Sequence, residues 1–373
     1  SSIVMPSDLY FSDLNGNWDV DGDQRWGEPH DSVDVYPELF VGRLTVREVD
    51  KVRNWVSKML HYEMLGSNDL SQFDRATWIY DGAGGLSPYA GTRTAFPEYF
   101  THSNYNSVVA RVARDAFGRA EGPPAAGIYN INCHGCPTHF LPWYEPRSKV
   151  WALNPNTESE HEAGLDSCDL TGCHYVVYDI GCYPAAFDPF VPHPPPPAPQ
   201  WVPSDTIMPD AYTNLYPATL GVAHLGNTRN GLWVAGGPSF ALQQAFWELF
   251  FGRNPNYAPT PNLGLAEGLS KVTYRYHYVT HAHNLFGSPE LEPWIMTPGS
   301  MLVEAPSWIP QGVPVPFLVR VADEYSAGIA DVRVCLHKTD DIYQVGWTDF
   351  QGFVTFVVQA QLPGTMLVTC THP

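Results

Sequence analysis

Two apolar segments that end beside a reactive side chain constrain the fold of this chain most. The first, residues 125–135, reads AAGIYNINCHG and ends with His134 and Gly135, and the second, residues 174–182, reads HYVVYDIGC and ends with Gly181 and Cys182. Each has the short apolar run of a buried strand, followed at once by glycine. The carboxyl ends of parallel strands share one edge of a sheet, where open α/β folds bind their ligands. The pattern therefore predicts that His134 and Cys182 lie along one such edge.

Strand-like segments alternate with helix-like segments over most of the chain. Residues 46–65 have apolar side chains at three- and four-residue steps, which predicts an amphipathic helix. The other segments are strands over 76–82 and 230–237 and helices over 104–120 and 240–252. DLYFSDL and LFVGRL, nearer the start, are also typical of strands. This alternation predicts an α/β fold with a mostly parallel sheet flanked by helices.

The character of the sequence changes at about Ser300. Short β-type runs, such as FLVRVAD, DVRVCLHK and GFVTFVV, then alternate with turn residues. That spacing predicts a small β-sandwich of immunoglobulin-like type. With 373 residues, the chain is long enough for two domains, which we place at 1–299 and 300–373.

A thiol and an imidazole at one sheet edge form a nucleophile and its base. The thiolate is the attacking species, so the His134 ring would take the proton of Cys182. The backbone amides of Gly135 and Cys182 would donate to the oxyanion of a tetrahedral intermediate. Asp81, at the end of another predicted strand, would orient the imidazole or only cap a turn. The order of His before Cys on two strand ends is that of caspase-like enzymes.

Two other interpretations of these side chains stay open. His134 and Cys182 could be buried without a shared role. A zinc site could also use thiolate and imidazole ligands, in this case Cys133, His134, Cys136 and Cys182.

The seven cysteines leave at least one thiol unpaired. Pairs that lie close in sequence or on neighbouring predicted strands are Cys168 with Cys173, Cys335 with Cys370, and Cys133 with Cys136. Cys182 is then the free thiol, as a nucleophile requires, and the protein would be secreted with disulfides. The alternative is a set of free, buried thiols in a reducing compartment.

The segment NWDVDGDQRWGE has the spacing of a calcium loop. Alternating oxygen ligands surround a hard cation, and Gly22 allows the sharp bend between them. The candidate ligands are Asn17, Asp19, Asp21, Asp23 and Glu28, and Asp13 and Asn15 are further candidate oxygen donors. The alternative is a solvated acidic turn, although so many carboxylates without a cation would repel one another.

Charge and hydropathy exclude two classes of partner. The formal net charge of -19 argues against nucleic acid, which requires a basic face. No apolar run approaches the roughly 20 residues of a membrane-spanning helix.

The proline-rich segment 189–203 can form neither a helix nor a central strand, and it predicts a surface loop that follows Cys182.

Taken together, these motifs resemble the gingipain-type cysteine peptidases of peptidase family C25, in the caspase-like clan. The matching segments occur in the family's order and include SDLYFSDLNGNWDVDGD, VDVYPELFVGRL, INCHG, DIGC and NLFGSPEL. The resemblance implies a caspase-like fold, His134 as the catalytic imidazole and Cys182 as the nucleophile. It also implies a secreted or cell-surface, calcium-stabilised cysteine endopeptidase that acts on protein or peptide substrates.

This sequence departs from the family's pattern in three respects. The family has a further sheet segment before DLYFSDL; either a separate N-terminal chain or pro-segment would supply it, or this sequence begins after it. CHG replaces the family's GHG. The best-known members cleave after Arg or Lys by means of acidic pocket residues, and our alignment places Tyr89 and Ala241 there, which predicts a pocket for apolar or small residues. A catalytically silent family member, acting as an adhesin or surface-structure protein, is the alternative function.

Overall fold

The structure is a computed structural model. It describes residues 5–46, 48–64, 73, 75–80, 101–106, 126–132, 134–136, 139–141, 174–188, 207–210, 213, 221–232, 237–295 and 299–372. The chain divides into two compact units, Ser1–Thr297 and Pro298–Pro373.

A six-stranded sheet with the order β2-β1-β3-β6-β7-β8 organises the first unit. Its strands are β1 (Arg75–Tyr80), β2 (Thr101–Asn106), β3 (Ile128–Asn132), β6 (Val176–Asp179), β7 (Ala223–Asn227) and β8 (His283–Phe286). All neighbours pair in parallel except β7 and β8. The predicted α/β fold is therefore confirmed, with β8 making the mostly parallel sheet a mixed one.

The described helices of the first unit flank this sheet. They are α1 (Leu9–Ser12), α2 (Val49–Glu63), α3 (Met208–Asp210), α4 (Pro238–Phe250), α5 (Leu263–Thr273) and α6 (His277–Ala282). Proline at the first position starts α4, and the Asn262 side chain caps α5 by accepting the Leu265 N–H. Phe246 and Trp247 of α4 are buried against Tyr178 of β6, which anchors this helix to the sheet.

Two of the strand predictions in this unit are wrong. DLYFSDL forms the one-turn helix α1, because Leu9 and Ser12, three residues apart, are the buried positions. LFVGRL forms only a single bridge, from Arg43 to Phe286. The first three residues of the predicted helix 104–120 belong instead to β2, which pairs with β1 through Asn106, and residues 107–120 lie outside the described residues.

The second unit contains two three-stranded antiparallel sheets, with the orders β13-β10-β9 and β12-β11-β14. The strands are β9 (Leu302–Glu304), β10 (Val315–Ala322), β11 (Arg333–Lys338), β12 (Ile342–Trp347), β13 (Phe353–Val358) and β14 (Leu367–Thr371). Alternate residues of β10 and β11, including Val319, Val334 and Leu336, are buried in one core. The predicted β-rich C-terminal region is confirmed.

The possible Cys335–Cys370 disulfide is wrong for a reason of register. The two strands, β11 and β14, are neighbours, but Cys335 pairs with Thr369 and Cys370 with Val334. Directly paired residues share a face of the sheet, so the two sulfur atoms point to opposite faces. Both thiols are free.

Candidate functional site

Parallel pairing of β3 with β6 brings together the segments that carry His134 and Cys182. Ile131 of β3 is the register partner of Asp179 of β6. His134 and Cys182 each follow three residues later, past the ends of these strands. His134 begins the short strand β4 (His134–Cys136), which forms a hairpin with β5 (His139–Leu141). Both residues therefore emerge at the same edge of the sheet.

Gly135 lies directly against the backbone of Cys182. A Cβ atom built on Gly135 would be 3.2 Å from the carbonyl oxygen of Cys182 and 3.5 Å from its amide nitrogen. The backbone of His134 is consequently adjacent to the candidate nucleophile.

For several other predicted site residues, the structure does not describe the side chain. The side chains of His134 and Cys136 are not described, and Asp81, Cys133 and Tyr89 lie outside the described residues. The zinc alternative and the orienting role of Asp81 stay predictions.

The Cys182 thiol is free and half-buried. Its sulfur lies 3.8 Å from the carbonyl oxygen of Gly231. Burial raises the pKa of this thiol, and the charge of Asp179 raises it further, while the Gly231 contact opposes the shift. A thiol held in its protonated form needs a base before it can attack a carbonyl carbon.

The loop that carries Cys182 is fixed to the loop after β7. Tyr183 has a φ of 60°, an unusual left-handed conformation for a residue with a side chain. Its N–H donates to the carbonyl of Arg229 at 2.9 Å, and the Ala185 N–H donates to Asn227. Backbone of this kind persists only where its surroundings hold it, and such positions cluster at functional sites.

A buried ion pair secures the far end of the same loop. The two terminal nitrogens of Arg229 each donate to one carboxylate oxygen of Asp188, at 2.8 and 2.7 Å. Only 1% of the Arg229 side chain is exposed, so removing Asp188 would take a charged partner from a buried guanidinium, which is costly. Sequence reasoning missed Arg229, since nothing in an isolated loop arginine indicates its partner.

Asp179, the last residue of β6, is a second residue that the sequence did not reveal. It is fully buried, and burial raises its pKa to about 7 although the Gly181 N–H donates to it. The one available signal was an acid at the end of an otherwise apolar strand.

Three carboxylates of the candidate calcium loop converge. Asp19, Asp21 and Asp23 each place one oxygen within 4.8 Å of the others. Gly22 between them has a φ of 73°, in the left-handed region that favours glycine. Hard oxygen donors at this separation fit a calcium ion.

The other predicted calcium ligands make different contacts. Asp13 is buried and accepts from Gly16, Trp18 and Asp34, while the Asn15 amide donates to Glu38. Asn17 accepts the Asp19 N–H, and Glu28 forms an ion pair with Arg25. Of the seven predicted ligands, the structure brings three together.

Residues 2–133 match the model of a protein family described as Peptidase family C25. The match ends one residue before His134, so it supports the family resemblance of the first third of the chain without reaching Cys182. A comparison with curated proteins gives no match.

Three solved structures share the fold. The Arg-specific cysteine proteinase gingipain R (RgpB) is 16% identical, with a TM-score of 0.68 over 100% of this chain and 78% of that one. The complex of Porphyromonas gingivalis RgpB pro- and mature domains is 16% identical, with a TM-score of 0.65 over 94% of this chain and 77% of that one. A structure described as a protease is 15% identical, with a TM-score of 0.65 over 98% of this chain and 75% of that one.

Among the described residues, no helix has both the length and the apolar character that a membrane crossing requires. The resemblance predicted from the motifs is confirmed: this chain resembles the gingipain-type cysteine peptidases of family C25 in sequence over residues 2–133 and in fold over its whole length.

Proposed function

We propose that this protein is a cysteine endopeptidase with a Cys182–His134 dyad. The observation that carries the proposal is the contact of Gly135, the neighbour of His134, with the Cys182 backbone at the carboxyl edge of the sheet. The fold shared with cysteine proteinases supports it. In the same fold, the C-terminal unit would be an immunoglobulin-like sandwich without chemistry of its own.

The proposed chemistry proceeds through an acyl-enzyme. His134 takes the Cys182 proton, and the sulfur forms a bond to the carbonyl carbon of the peptide. The Gly135 and Cys182 amides stabilise the resulting oxyanion. The C–N bond then breaks as His134 returns the proton to the leaving amine, and water, deprotonated by His134, cleaves the thioester. Asp81 would orient the imidazole.

The residue preference of the enzyme would differ from that of gingipain R. Ala241, which aligns with an acidic pocket residue of Arg- and Lys-specific members, lies in α4 and brings no charge. We expect cleavage after apolar or small residues. The test is a peptide library incubated with the wild-type chain and with Cys182→Ala: cleavage by the wild type alone supports the proposal, and equal cleavage by both contradicts it.

Calcium would stabilise the first unit through Asp19, Asp21 and Asp23, the three predicted ligands whose carboxylates converge. The role of such an ion would be structural, since Asp19, Asp21 and Asp23 would hold it and their converging carboxylates would be neutralised. Secretion to a calcium-rich exterior and association with a pro-segment, as in the RgpB complex, fit this function.

Removing calcium is expected to lower the melting temperature by several degrees. A ligand present at a hundredfold excess over its Kd stabilises the native state by about 2.7 kcal/mol, and chelation removes that term. The measurement is thermal unfolding with calcium and with a chelator. Asp21→Asn should reduce the shift, whereas Asp50→Asn, an exposed carboxylate of α2, should preserve it. An identical melting temperature in both buffers would contradict the calcium site.

A further inference from the structure

Each of the two peptide units before Cys182 is anchored by a buried side chain. The Gly181 N–H donates to Oδ1 of Asp179 at 2.7 Å. The Gly181 carbonyl oxygen accepts from the side-chain amide of Asn227 at 3.0 Å. Asp179 is fully buried and only 1% of Asn227 is exposed, so water does not compete for either bond.

The second anchor sets where the Cys182 N–H points, and the first fixes the peptide unit before it. The carbonyl of Gly181 and the N–H of Cys182 belong to one peptide unit, which is planar and trans, so they point in opposite directions. Because Asn227 holds the carbonyl, the Cys182 N–H is directed away from Asn227. In the described part of the chain, no acceptor takes this N–H.

We propose that Asp179 and Asn227 are positioning residues that aim the Cys182 N–H at the oxyanion of the reaction. The inference rests on the proposed function and adds the residues that orient its oxyanion donor. Donors are effective because they are fixed before charge develops on the substrate. Asp179 fixes the first peptide of the turn and Asn227 the second.

Asp179 affects the site in two ways, as a hydrogen-bond acceptor and as a charge, and substitutions can test the two effects separately. Asp179 interacts electrostatically with Cys182, and among the described side chains the other ionisable groups around the thiol are Tyr183, Tyr278 and, acting on both tyrosines, Arg229. In the sheet, Asp179 is flanked by Ile131 of β3 and Gly226 of β7. Asp179→Asn keeps an oxygen acceptor for Gly181 but removes the charge, whereas Asp179→Ala removes both.

The test compares kcat and KM for peptide hydrolysis in Asp179→Ala, Asp179→Asn and Asn227→Ala. Loss of one oxyanion donor costs about 10²- to 10³-fold in kcat, so a misdirected donor should cost about ten- to a hundredfold. We expect that loss for Asp179→Ala and Asn227→Ala with KM little changed, and near-wild-type kcat for Asp179→Asn. Asp50→Asn is the control for an exposed carboxylate.

Alkylation of Cys182 by iodoacetamide gives a second measurement, since it forms no oxyanion. Asn227→Ala should be alkylated at the wild-type rate although its kcat falls. Asp179→Asn should shift the pH midpoint of alkylation downward, because a negative charge that raises the pKa of the thiol is gone. A purely structural defect would instead alter alkylation and melting temperature together.

The outcomes separate this inference from the function on which it rests. If wild type hydrolyses no peptide, the proposed function fails. If wild type is active and both alanine variants keep kcat within twofold, or Asp179→Asn loses as much as Asp179→Ala, the positioning role is overturned. Should Asn227→Ala not fold, Asn227→Ser, which retains a donor in a smaller side chain, is expected to show a reduced kcat, and an unchanged kcat would overturn the role.

Discussion

Replacing Cys182 by alanine is expected to lower kcat/KM for peptide hydrolysis by at least about 10³-fold. Removal of a nucleophile from a catalytic unit leaves only the residual rate supplied by binding and the oxyanion donors. The half-buried sulfur is held beside Gly231 at the edge where β3 and β6 end. Alanine removes that sulfur without adding volume, so the fold of the loop should persist.

Cys335→Ala is the matched control for this variant. Cys335 is another free thiol, located in the second unit, and it has no role in the proposed chemistry. We expect its activity to equal that of wild type, with kinetics measured on a peptide identified from the library. Hydrolysis that survives in Cys182→Ala at more than a tenth of the wild-type rate would contradict the nucleophile assignment.

Gly231→Ala is expected to lower activity at least about 10²-fold although it adds only one methyl group. A Cβ at this position would overlap the carbonyl oxygen of Ile180 and lie 2.7 Å from that of Gly181. Both contacts are with backbone just before Cys182, so the nucleophile loop must move to accommodate the methyl group. Displacements of about 1 Å can cost 10²-fold in rate, and we expect at least that loss, together with a lower melting temperature.

Two further glycine variants make this prediction quantitative. At Gly299 a Cβ would meet nothing within 4 Å, so Gly299→Ala should leave rate and stability unchanged. At Gly135 the nearest atom would be 3.2 Å away, so Gly135→Ala should have an intermediate effect. Equal activities for the three variants would show that close packing of backbone around Cys182 does not matter for the reaction.

The strand ends that carry the site could be predicted from sequence, but the strand order could not. AAGIYNINCHG and HYVVYDIGC are short apolar runs followed by glycine, a local signal. That β3 and β6 are adjacent, with Ile131 opposite Asp179, depends on tertiary packing of segments far apart in sequence. Strands β7 and β8 were missed because AHLGN and HNLF carry His, Gly and Asn, which dilute the apolar pattern.

Residues that hold the nucleophile loop were harder to foresee than the nucleophile. Arg229, Asn227 and Gly231 lie about 50 residues beyond Cys182 and act through one buried ion pair, one amide and one absent side chain. None of these roles has a local sequence pattern. The predicted Cys335–Cys370 disulfide was wrong for a related reason. A shift of one residue in the strand register points a side chain to the opposite face of the sheet, and the sequence does not reveal that register.

Labelling with a thiol-directed peptidyl chloromethyl ketone tests the central claim, that Cys182 and His134 act together, most directly. Wild-type protein is treated in the native state, digested, and the modified residue identified by mass spectrometry. The dyad predicts rapid modification of Cys182 in the native protein, and a large drop in its rate in His134→Ala. A native protein in which Cys182 is not modified, but becomes so after denaturation, would contradict the dyad and favour a catalytically silent member of the family.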